Sequence, residues 1–215
     1  MISNATFTAT DLACMRGERR VFAGVGFALR TGDALVLTGP NGSGKSSLLR
    51  ILAGLGRLAG GQLVWEGAPI AADPETHRAR VHYVGHLDGV RPALTVAETL
   101  DFWCGLAGRP RSRASEALGA LGLGAVSETP CRFLSSGQRR RLALARLAAW
   151  HAPLWLLDEP GTGLDDAALA ALAGLVRRHR SAGGIVVLST HGTLDLDRPQ
   201  RLALAEFQDR AMVPA

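Results

Sequence analysis

The stretch that decides the fold is a glycine-rich run between a short apolar segment and an amphipathic one. It reads Gly39-Pro40-Asn41-Gly42-Ser43-Gly44-Lys45-Ser46-Ser47. Its first eight residues fit the pattern GxxxxGKS, in which successive backbone N–H groups wrap phosphate oxygens and the lysine reaches between them. Lys45 is the only lysine in a chain that otherwise uses arginine, and a planar guanidinium does not replace a compact ammonium at such a position.

The residues on both sides supply the context that this motif requires. Residues 34–38 are a short apolar strand, and residues 46–55 repeat leucine and isoleucine at helical spacing. The unpaired N–H groups at the start of that helix favour an anion. We therefore expect Lys45 to contact the β- and γ-phosphates of a nucleoside triphosphate, and Ser46 to place its hydroxyl on Mg²⁺.

Short apolar segments alternate with helical patterns along the rest of the chain. Residues 1–36 are rich in strand patterns, and further strands are predicted at 62–65, 81–84, 154–157 and 184–188. Helices are predicted at 95–106, 115–121, 138–150 and 165–180. This alternation predicts a parallel α/β sheet, and the two helices between strands predict an inserted helical lobe.

Composition limits the classes of partner. The net charge is +5, but the arginines form no stripe interleaved with aromatic residues, so nucleic acid is not an expected partner. Cys14, Cys104 and Cys131 are odd in number and far apart, which fits neither a zinc site nor a disulfide framework. Because no export signal and no long apolar run are visible, we expect an intracellular protein that can still dock on a membrane protein.

A pair of carboxylates follows the apolar run at 154–157. Asp158 is expected to hold Mg²⁺ mostly through water, since magnesium prefers oxygen ligands and keeps several waters. Glu159 is expected to polarise the attacking water. Taken alone, an Asp-Glu pair fits a solvated turn at the end of a strand equally well.

A third segment indicates the class of ATPase. Leu134-Ser135-Ser136-Gly137-Gln138 lies about twenty residues before Asp158 and resembles the LSGGQ signature of ABC-type ATPases, with one serine in place of glycine. Residues 163–165 resemble that family's D-loop, and His191 resembles its switch histidine. The resemblance covers nearly the whole chain. It implies a single ABC ATPase domain over 1–215, an α/β P-loop NTPase with a mostly parallel core sheet, an N-terminal antiparallel β subdomain and a helical subdomain at about 87–136.

The resemblance also implies a reaction centre shared by two chains. In that family two ATPase domains face head to tail, and ATP with Mg²⁺ lies between the phosphate loop of one and the signature of the other. The implied nucleotide contacts are Ser135, Ser136, Gly137, Gln138, Asp165 and His86, and the implied catalytic residues are Lys45, Glu159 and His191. The chain should therefore form a homodimer or pair with a related ATPase subunit.

Two positions depart from the family pattern. His86 stands where most members carry a glutamine that touches Mg²⁺ and senses the membrane subunit. Because a neutral imidazole is a weaker Mg²⁺ ligand than an amide oxygen, we expect His86 to work through water or to serve coupling. The family stacks an aromatic residue on adenine ahead of the phosphate loop, but the matching position here lies near Arg16 and is not aromatic, so Arg16, Phe22 or neither contacts the base.

The runs at 83–86, 94–98, 134–147 and 152–160 resemble the ATP-binding subunits of bacterial haem exporters of cytochrome c maturation. That resemblance implies integral-membrane permease subunits, a peripheral location on the cytoplasmic face of the inner membrane, and ATP hydrolysis linked to delivery of haem to a periplasmic chaperone. No haem ligand set is evident, and His77, His82 and His86 are interpreted as structural or solvated. The alternatives are another small-cargo exporter and a soluble scaffold ATPase of the iron–sulfur type. A nucleic-acid maintenance ATPase of the same superfamily would normally need a long coiled-coil insertion. It is disfavoured, because no sustained heptads occur in this sequence.

Overall fold

Two sheets with different strand directions form the framework of the computed structural model, which describes residues 6–108, 113–190 and 194–208. The strands are β1 (Phe7–Arg16), β2 (Arg19–Leu29), β3 (Ala34–Thr38), β4 (Gly60–Trp65), β5 (Ala68–Pro69), β6 (Val81–Val84), β7 (Leu154–Asp158), β8 (Ile185–Ser189) and β9 (Gln200–Ala203). The helices are α1 (Lys45–Leu52), α2 (Pro74–Ala79), α3 (Val96–Leu106), α4 (Ala114–Ala120), α5 (Ser136–Ala149) and α6 (Asp166–Ser181).

The core sheet has the order β6-β7-β8-β3-β9, and every pairing between its described strands is parallel. All residues of β7 and β8 are buried, as expected for strands covered on both faces, which read as continuous apolar runs. A second sheet, β2-β1-β4-β5, is antiparallel and comes mostly from the start of the chain. The predicted fold class is therefore confirmed.

Predicted strands at 34–38 and 81–84 are confirmed with their bounds, whereas β9 and α2 lie where no element is predicted. β9 is an edge strand with a single buried residue, Leu202, so it has no apolar pattern. α2 has six residues and one buried side chain, His77, which is too short for a helical period to show.

The helical part lies between β6 and β7 and begins at a well-formed N-cap. Thr95 Oγ1 accepts a hydrogen bond from the backbone N–H of Glu98 at 3.1 Å, and the Glu98 carboxylate accepts one from the N–H of Thr95 at 2.8 Å. This capping box fixes the start of α3, as the sequence predicts. The buried side chains of α3, α4 and α5 join one apolar cluster that continues to the core sheet.

The three cysteines are buried free thiols. Burial raises the pKa of Cys14, which lowers its reactivity. Among the helices of the described ranges, none has both the length and the apolarity needed to cross a bilayer.

Two buried histidines pack against tryptophans at the amino ends of the parallel strands. The His82 ring lies 4.5 Å from the Trp150 ring, and the His179 ring stacks on Trp155 at 3.9 Å. Burial lowers the pKa of His82 to about 3 and that of His179 to about 4. Both rings are therefore neutral members of the core at neutral pH. His77 is likewise buried, and its Nε2 lies 2.8 Å from the Leu52 carbonyl oxygen.

Lowering the pH from 7.5 to 5 should destabilise the fold. The unfolded chain protonates these two histidines near pH 6.5, whereas the folded rings stay neutral until about pH 3 to 4, so the unfolded state binds more protons in this window. Each ring should lower the free energy of unfolding at pH 5 by about 2 kcal/mol. Urea denaturation at both pH values measures this loss.

His179→Gln should lose less stability between the two pH values than the parent, because it lacks one of the two buried rings. An unchanged pH dependence in His179→Gln would contradict the assignment.

Candidate nucleotide site

The glycine-rich loop joins β3 to α1 at the carboxyl edge of the core sheet. Its last glycine, Gly44, has φ +101° and is the N-cap of α1. A Cβ atom there would lie 2.7 Å from Val21 Cγ1 and 3.0 Å from the Phe22 ring. Both the left-handed backbone and the close packing against β2 therefore require glycine.

Lys45 is buried within the loop. Its Nζ donates to the carbonyl oxygens of Gly39 at 2.7 Å and Pro40 at 3.1 Å, and the side chain is 6% exposed. α1 begins at Lys45, one residue before the predicted start, and ends at Leu52 rather than 55. The N–H groups of its first turn have no partner within the helix and point toward the loop.

A cavity of about 1450 Å³ opens over this loop. The lining residues from the loop and the start of α1 are Asn41, Gly42, Gly44, Lys45, Ser46 and Ser47. Glu159 lines the same cavity, as does Arg16 from the antiparallel sheet. Phe22 does not line it, because its ring is fully buried beneath Gly44 and offers no face to a base.

A serine of the neighbouring strand β8 binds the carboxylate of Asp158 and the backbone N–H of Glu159. The Ser189 hydroxyl donates to Asp158 Oδ1 at 2.7 Å, and the Glu159 N–H donates to the Ser189 hydroxyl at 3.0 Å and to its carbonyl oxygen at 3.2 Å. Asp158 is 3% exposed, and it stands opposite Ser189 in the parallel register. The solvated-turn interpretation of Asp158 does not hold.

Ser189 has no role in the sequence prediction. The available signal was that two apolar runs, at 154–157 and 184–188, both end in polar residues, and such strand ends meet at one edge of a parallel sheet. Only the strand order, which places β8 beside β7, brings these particular residues together.

Glu159 has an unusual backbone. Its φ is +48°, a left-handed value that a non-glycine residue adopts at a cost of about 1 kcal/mol or more. The Thr162 hydroxyl donates to Glu159 Oε2 at 3.4 Å. Glu159 therefore lies in a turn at the end of β7, with its carboxylate in contact with Thr162, and the residue lines the cavity.

The segment 135–138 forms a capping box at the start of α5. Ser135 Oγ accepts from the Gln138 N–H at 3.1 Å, and Gln138 Oε1 accepts from the Ser135 N–H at 2.8 Å. Ser135 and Ser136 are exposed, Gly137 and Gln138 are half-buried, and none of the four lines the loop cavity. A ligand bound by these four residues would therefore lie outside the loop cavity of the same chain.

The remaining predicted site residues lie apart from the loop. Asp165 is the N-cap of α6, and its Oδ1 accepts from the Ala168 N–H at 2.8 Å. A Cβ at Gly137 would lie 3.0 Å from the Gly163 carbonyl oxygen, so the 163–165 turn adjoins the start of α5. His86 is exposed and does not line the cavity. His191 lies outside the described residues.

The oxygen donors at the site suit Mg²⁺. Ser46 lines the cavity and offers a hydroxyl, whereas Asp158 does not line the cavity and offers a buried carboxylate that accepts from one hydroxyl. Within the described ranges no group of three or more His, Cys, Asp or Glu side chains could hold a metal by itself. A hard cation that keeps waters and takes phosphate oxygens fits such a sparse protein donor set.

The chain is similar in sequence to known ATP-binding proteins of ABC transporters. A sequence model of the family described as ABC transporter matches residues 22–162. The cytochrome c biogenesis ATP-binding export protein CcmA of Paramagnetospirillum magneticum is 53% identical, with 96% of this chain and 97% of that protein covered. The protein of the same name in Rhodospirillum rubrum is 54% identical, with 94% and 87% covered.

Solved structures show the same fold. A putative ABC transporter ATP-binding protein from Pyrococcus furiosus superposes with a TM-score of 0.81 at 20% identity, covering 94% of this chain and 99% of that one. The ATP-binding subunit of an ABC transporter superposes with a TM-score of 0.77 at 25% identity, covering 86% and 79%.

Ser189→Ala should lower the free energy of unfolding by about 1–3 kcal/mol, because it removes the hydroxyl donor of a buried carboxylate. Ser181→Ala is the matched control: its hydroxyl donates to the Arg178 carbonyl oxygen at 3.0 Å at an exposed position, so the change should stay below about 0.5 kcal/mol. Urea denaturation compares the two variants, and equal losses would contradict a special role for Ser189.

Proposed function

Since this chain belongs to the ABC transporter family of ATPases, among the cytochrome c biogenesis ATP-binding export proteins, we propose that it powers a bacterial exporter of cytochrome c maturation. Hydrolysis of ATP is coupled to delivery of haem and release of the loaded haem chaperone. The observation that carries this proposal is 53% identity over 96% of the chain, in a molecule whose phosphate loop and Glu159 face one cavity.

The triphosphate occupies the loop cavity in this proposal. The backbone N–H groups of residues 42–45 and the first turn of α1 surround the β-phosphate. Lys45 exchanges the carbonyl oxygens of Gly39 and Pro40, which it now contacts, for oxygens of the β- and γ-phosphates. Ser46 and Asp158 would hold Mg²⁺, which would neutralise the charge of the phosphates. Arg16, at the rim, is the candidate for stacking on the base.

Glu159 acts on the attacking water. Its carboxylate lines the cavity, and its backbone is fixed by the two hydrogen bonds to Ser189. A carboxylate so placed accepts a proton from water as the bond from the water oxygen to the γ-phosphorus forms and the bond from that phosphorus to the β,γ-bridging oxygen breaks, which releases ADP. His191 is assigned to the reaction by its resemblance to the switch histidine.

The exposed signature supports a two-chain reaction centre. Ser135 Oγ accepts a hydrogen bond within α5, so its hydroxyl hydrogen remains available to a ligand. Together with the N-terminus of α5, it suits the γ-phosphate of an ATP held by the second chain. A head-to-tail homodimer, or a pair with a related ATPase subunit, would bring the two halves together, with Asp165 at the same face.

Exposed apolar side chains on two segments support docking of a permease near His86. Leu87, next to His86 in the chain, is 87% exposed, and Leu106, at the end of α3, is 72% exposed. Trp103 packs beneath the Arg146 guanidinium at 5.3 Å, and that guanidinium also donates to the Tyr83 carbonyl oxygen at the end of β6. A permease segment docked here would hold the chain on the cytoplasmic face of the inner membrane and act on the His86 loop.

Purification from the native membrane, followed by identification of the co-purifying chains, tests this location. Integral-membrane chains should co-purify, and deleting them should release the protein to the cytosol. Recovery solely in the cytosol of the parent strain would favour a soluble scaffold ATPase.

A complementation assay tests the cargo. A strain without this gene should lack c-type cytochromes detectable by haem stain, and the wild-type gene should restore them while Glu159→Gln should not. Normal c-type cytochromes in the deletion strain would contradict the haem assignment. The remaining proposal would then be an ABC exporter of another cargo.

Glu159→Gln should keep ATP binding but lower kcat about a hundredfold or more, because the amide cannot accept the proton of the water. It should also trap a dimer with ATP. Lys45→Ala should instead weaken binding of the triphosphate. Phosphate release, fluorescent-nucleotide titration and size-exclusion chromatography measure these effects, and normal turnover in Glu159→Gln would show that the water is oriented elsewhere.

A further inference from the structure

One arginine side chain of α5, the signature helix that begins at the segment 135–138, reaches the turn that carries Glu159. Arg140, on α5, is 5% exposed. Its Nη2 donates to the carbonyl oxygens of Asp158 at 2.7 Å and Glu159 at 2.9 Å, and its Nε donates to that of Pro160 at 3.4 Å. The carbonyl groups of three successive residues, 158–160, therefore accept hydrogen bonds from one side chain.

The other side of the same guanidinium holds the His86 loop. Arg140 Nη1 donates to the Gly85 carbonyl oxygen at 2.8 Å and to Asp88 Oδ1 at 3.1 Å, where it forms an ion pair. Gly85 and Asp88 flank His86 along the chain. One residue thus connects three segments: the signature helix, the His86 loop and the turn at Glu159.

The chemistry of this contact is specific to arginine. A guanidinium has five N–H donors in a planar fork, and the five hydrogen bonds of Arg140 match them in number. A lysine has three donors on a flexible stem and cannot bridge the same set of acceptors. The buried charge has a carboxylate partner in Asp88 and backbone dipoles on its remaining sides, which compensates for its desolvation.

We propose that Arg140 is the positioning residue that fixes Glu159 for hydrolysis and connects it to the signature helix and the His86 loop. The bonds to the carbonyls of residues 158–160 hold the left-handed backbone at Glu159, whose φ is +48°, and thereby the direction of its carboxylate. Ser135 lies five residues before Arg140, at the start of the same helix, so a displacement of α5 moves the guanidinium with it.

Arg140 does not line the loop cavity. Its loss should therefore change the rate of hydrolysis without changing nucleotide binding. This inference rests on the proposed role of Glu159 as the residue that orients water.

The test compares ATP turnover in Arg140→Met, Arg140→Lys and Arg141→Met. Arg141 is the matched control, because its guanidinium also donates from α5 to backbone carbonyls, those of Leu121 at 3.3 Å and Gly122 at 3.5 Å, away from the nucleotide cavity. Both Arg140 variants should lower kcat at least tenfold with KM within twofold of the parent, and Arg141→Met should keep both parameters within twofold. A rise in KM with unchanged kcat in the Arg140 variants would overturn the proposal.

A double-variant cycle separates positioning from a general structural role. If Arg140 acts through Glu159, adding Arg140→Met to Glu159→Gln should lower the residual single-turnover rate less than twofold. An additional tenfold loss would show that Arg140 acts independently of Glu159 and would overturn the proposal. Where thermal denaturation shows that Arg140→Met does not fold, Arg140→Lys takes its place in the cycle, since it keeps the buried charge.

The proposed roles of Glu159 and Arg140 can be contradicted separately. Full turnover in Glu159→Gln alone would remove the proposed role of Glu159 and this inference with it. Suppose instead that Glu159→Gln loses turnover. A further tenfold loss in the double variant, or a rise in KM with unchanged kcat in the Arg140 variants, would then remove this inference and leave the ATPase assignment intact.

Discussion

The parallel pairing of β7 with β8 is the constraint on which the rest of the site depends. In this register Asp158 stands opposite Ser189, so a buried carboxylate receives a hydroxyl donor and the next backbone N–H receives an acceptor. β3 pairs with the other side of β8, which places the phosphate loop at the same edge. A shift of one residue would turn each side chain to the opposite face of the sheet and separate these groups.

Buried charges organise the site before any ligand is present. Lys45 is satisfied by two carbonyl oxygens of its own loop, Asp158 by a hydroxyl, and Arg140 by four carbonyl oxygens and one carboxylate. Because an uncompensated buried charge is costly, each of these contacts restricts the backbone around it. The glycine-rich loop, the Asp158 carboxylate and the turn at Glu159 are therefore preorganised in the single chain.

The signature is different, because its serines face solvent. Its capping box fixes the N-terminus of α5, and residues 135–138 lie outside the loop cavity. The contact of the 163–165 turn with Gly137 keeps this surface next to the segment that follows Glu159. In the proposed two-chain centre a second chain supplies the triphosphate to this surface, and Arg140 connects the helix that carries the surface to the turn at Glu159.

Local patterns in the sequence were sufficient for the elements that decide the fold. The apolar run at 34–38, the glycine-rich loop and the Thr95–Glu98 capping box each have a signal that lies within a few neighbouring residues, and the structure bears them out. β9 and α2 lacked such a signal, since each buries a single side chain. The burial of Phe22, which removes it from the base site, depends on how β2 packs against Gly44.

The partners of the functional side chains were decided by the tertiary structure alone. Ser189 meets Asp158 across 31 residues, and Arg140 meets Gly85 across 55 residues; no local periodicity records which strands become neighbours. The sequence by itself determined which chemical groups the chain has and the local loop that holds phosphate. Strand order and helix packing decided which of those groups touch, because a hydrogen bond depends on distance in space and not along the chain.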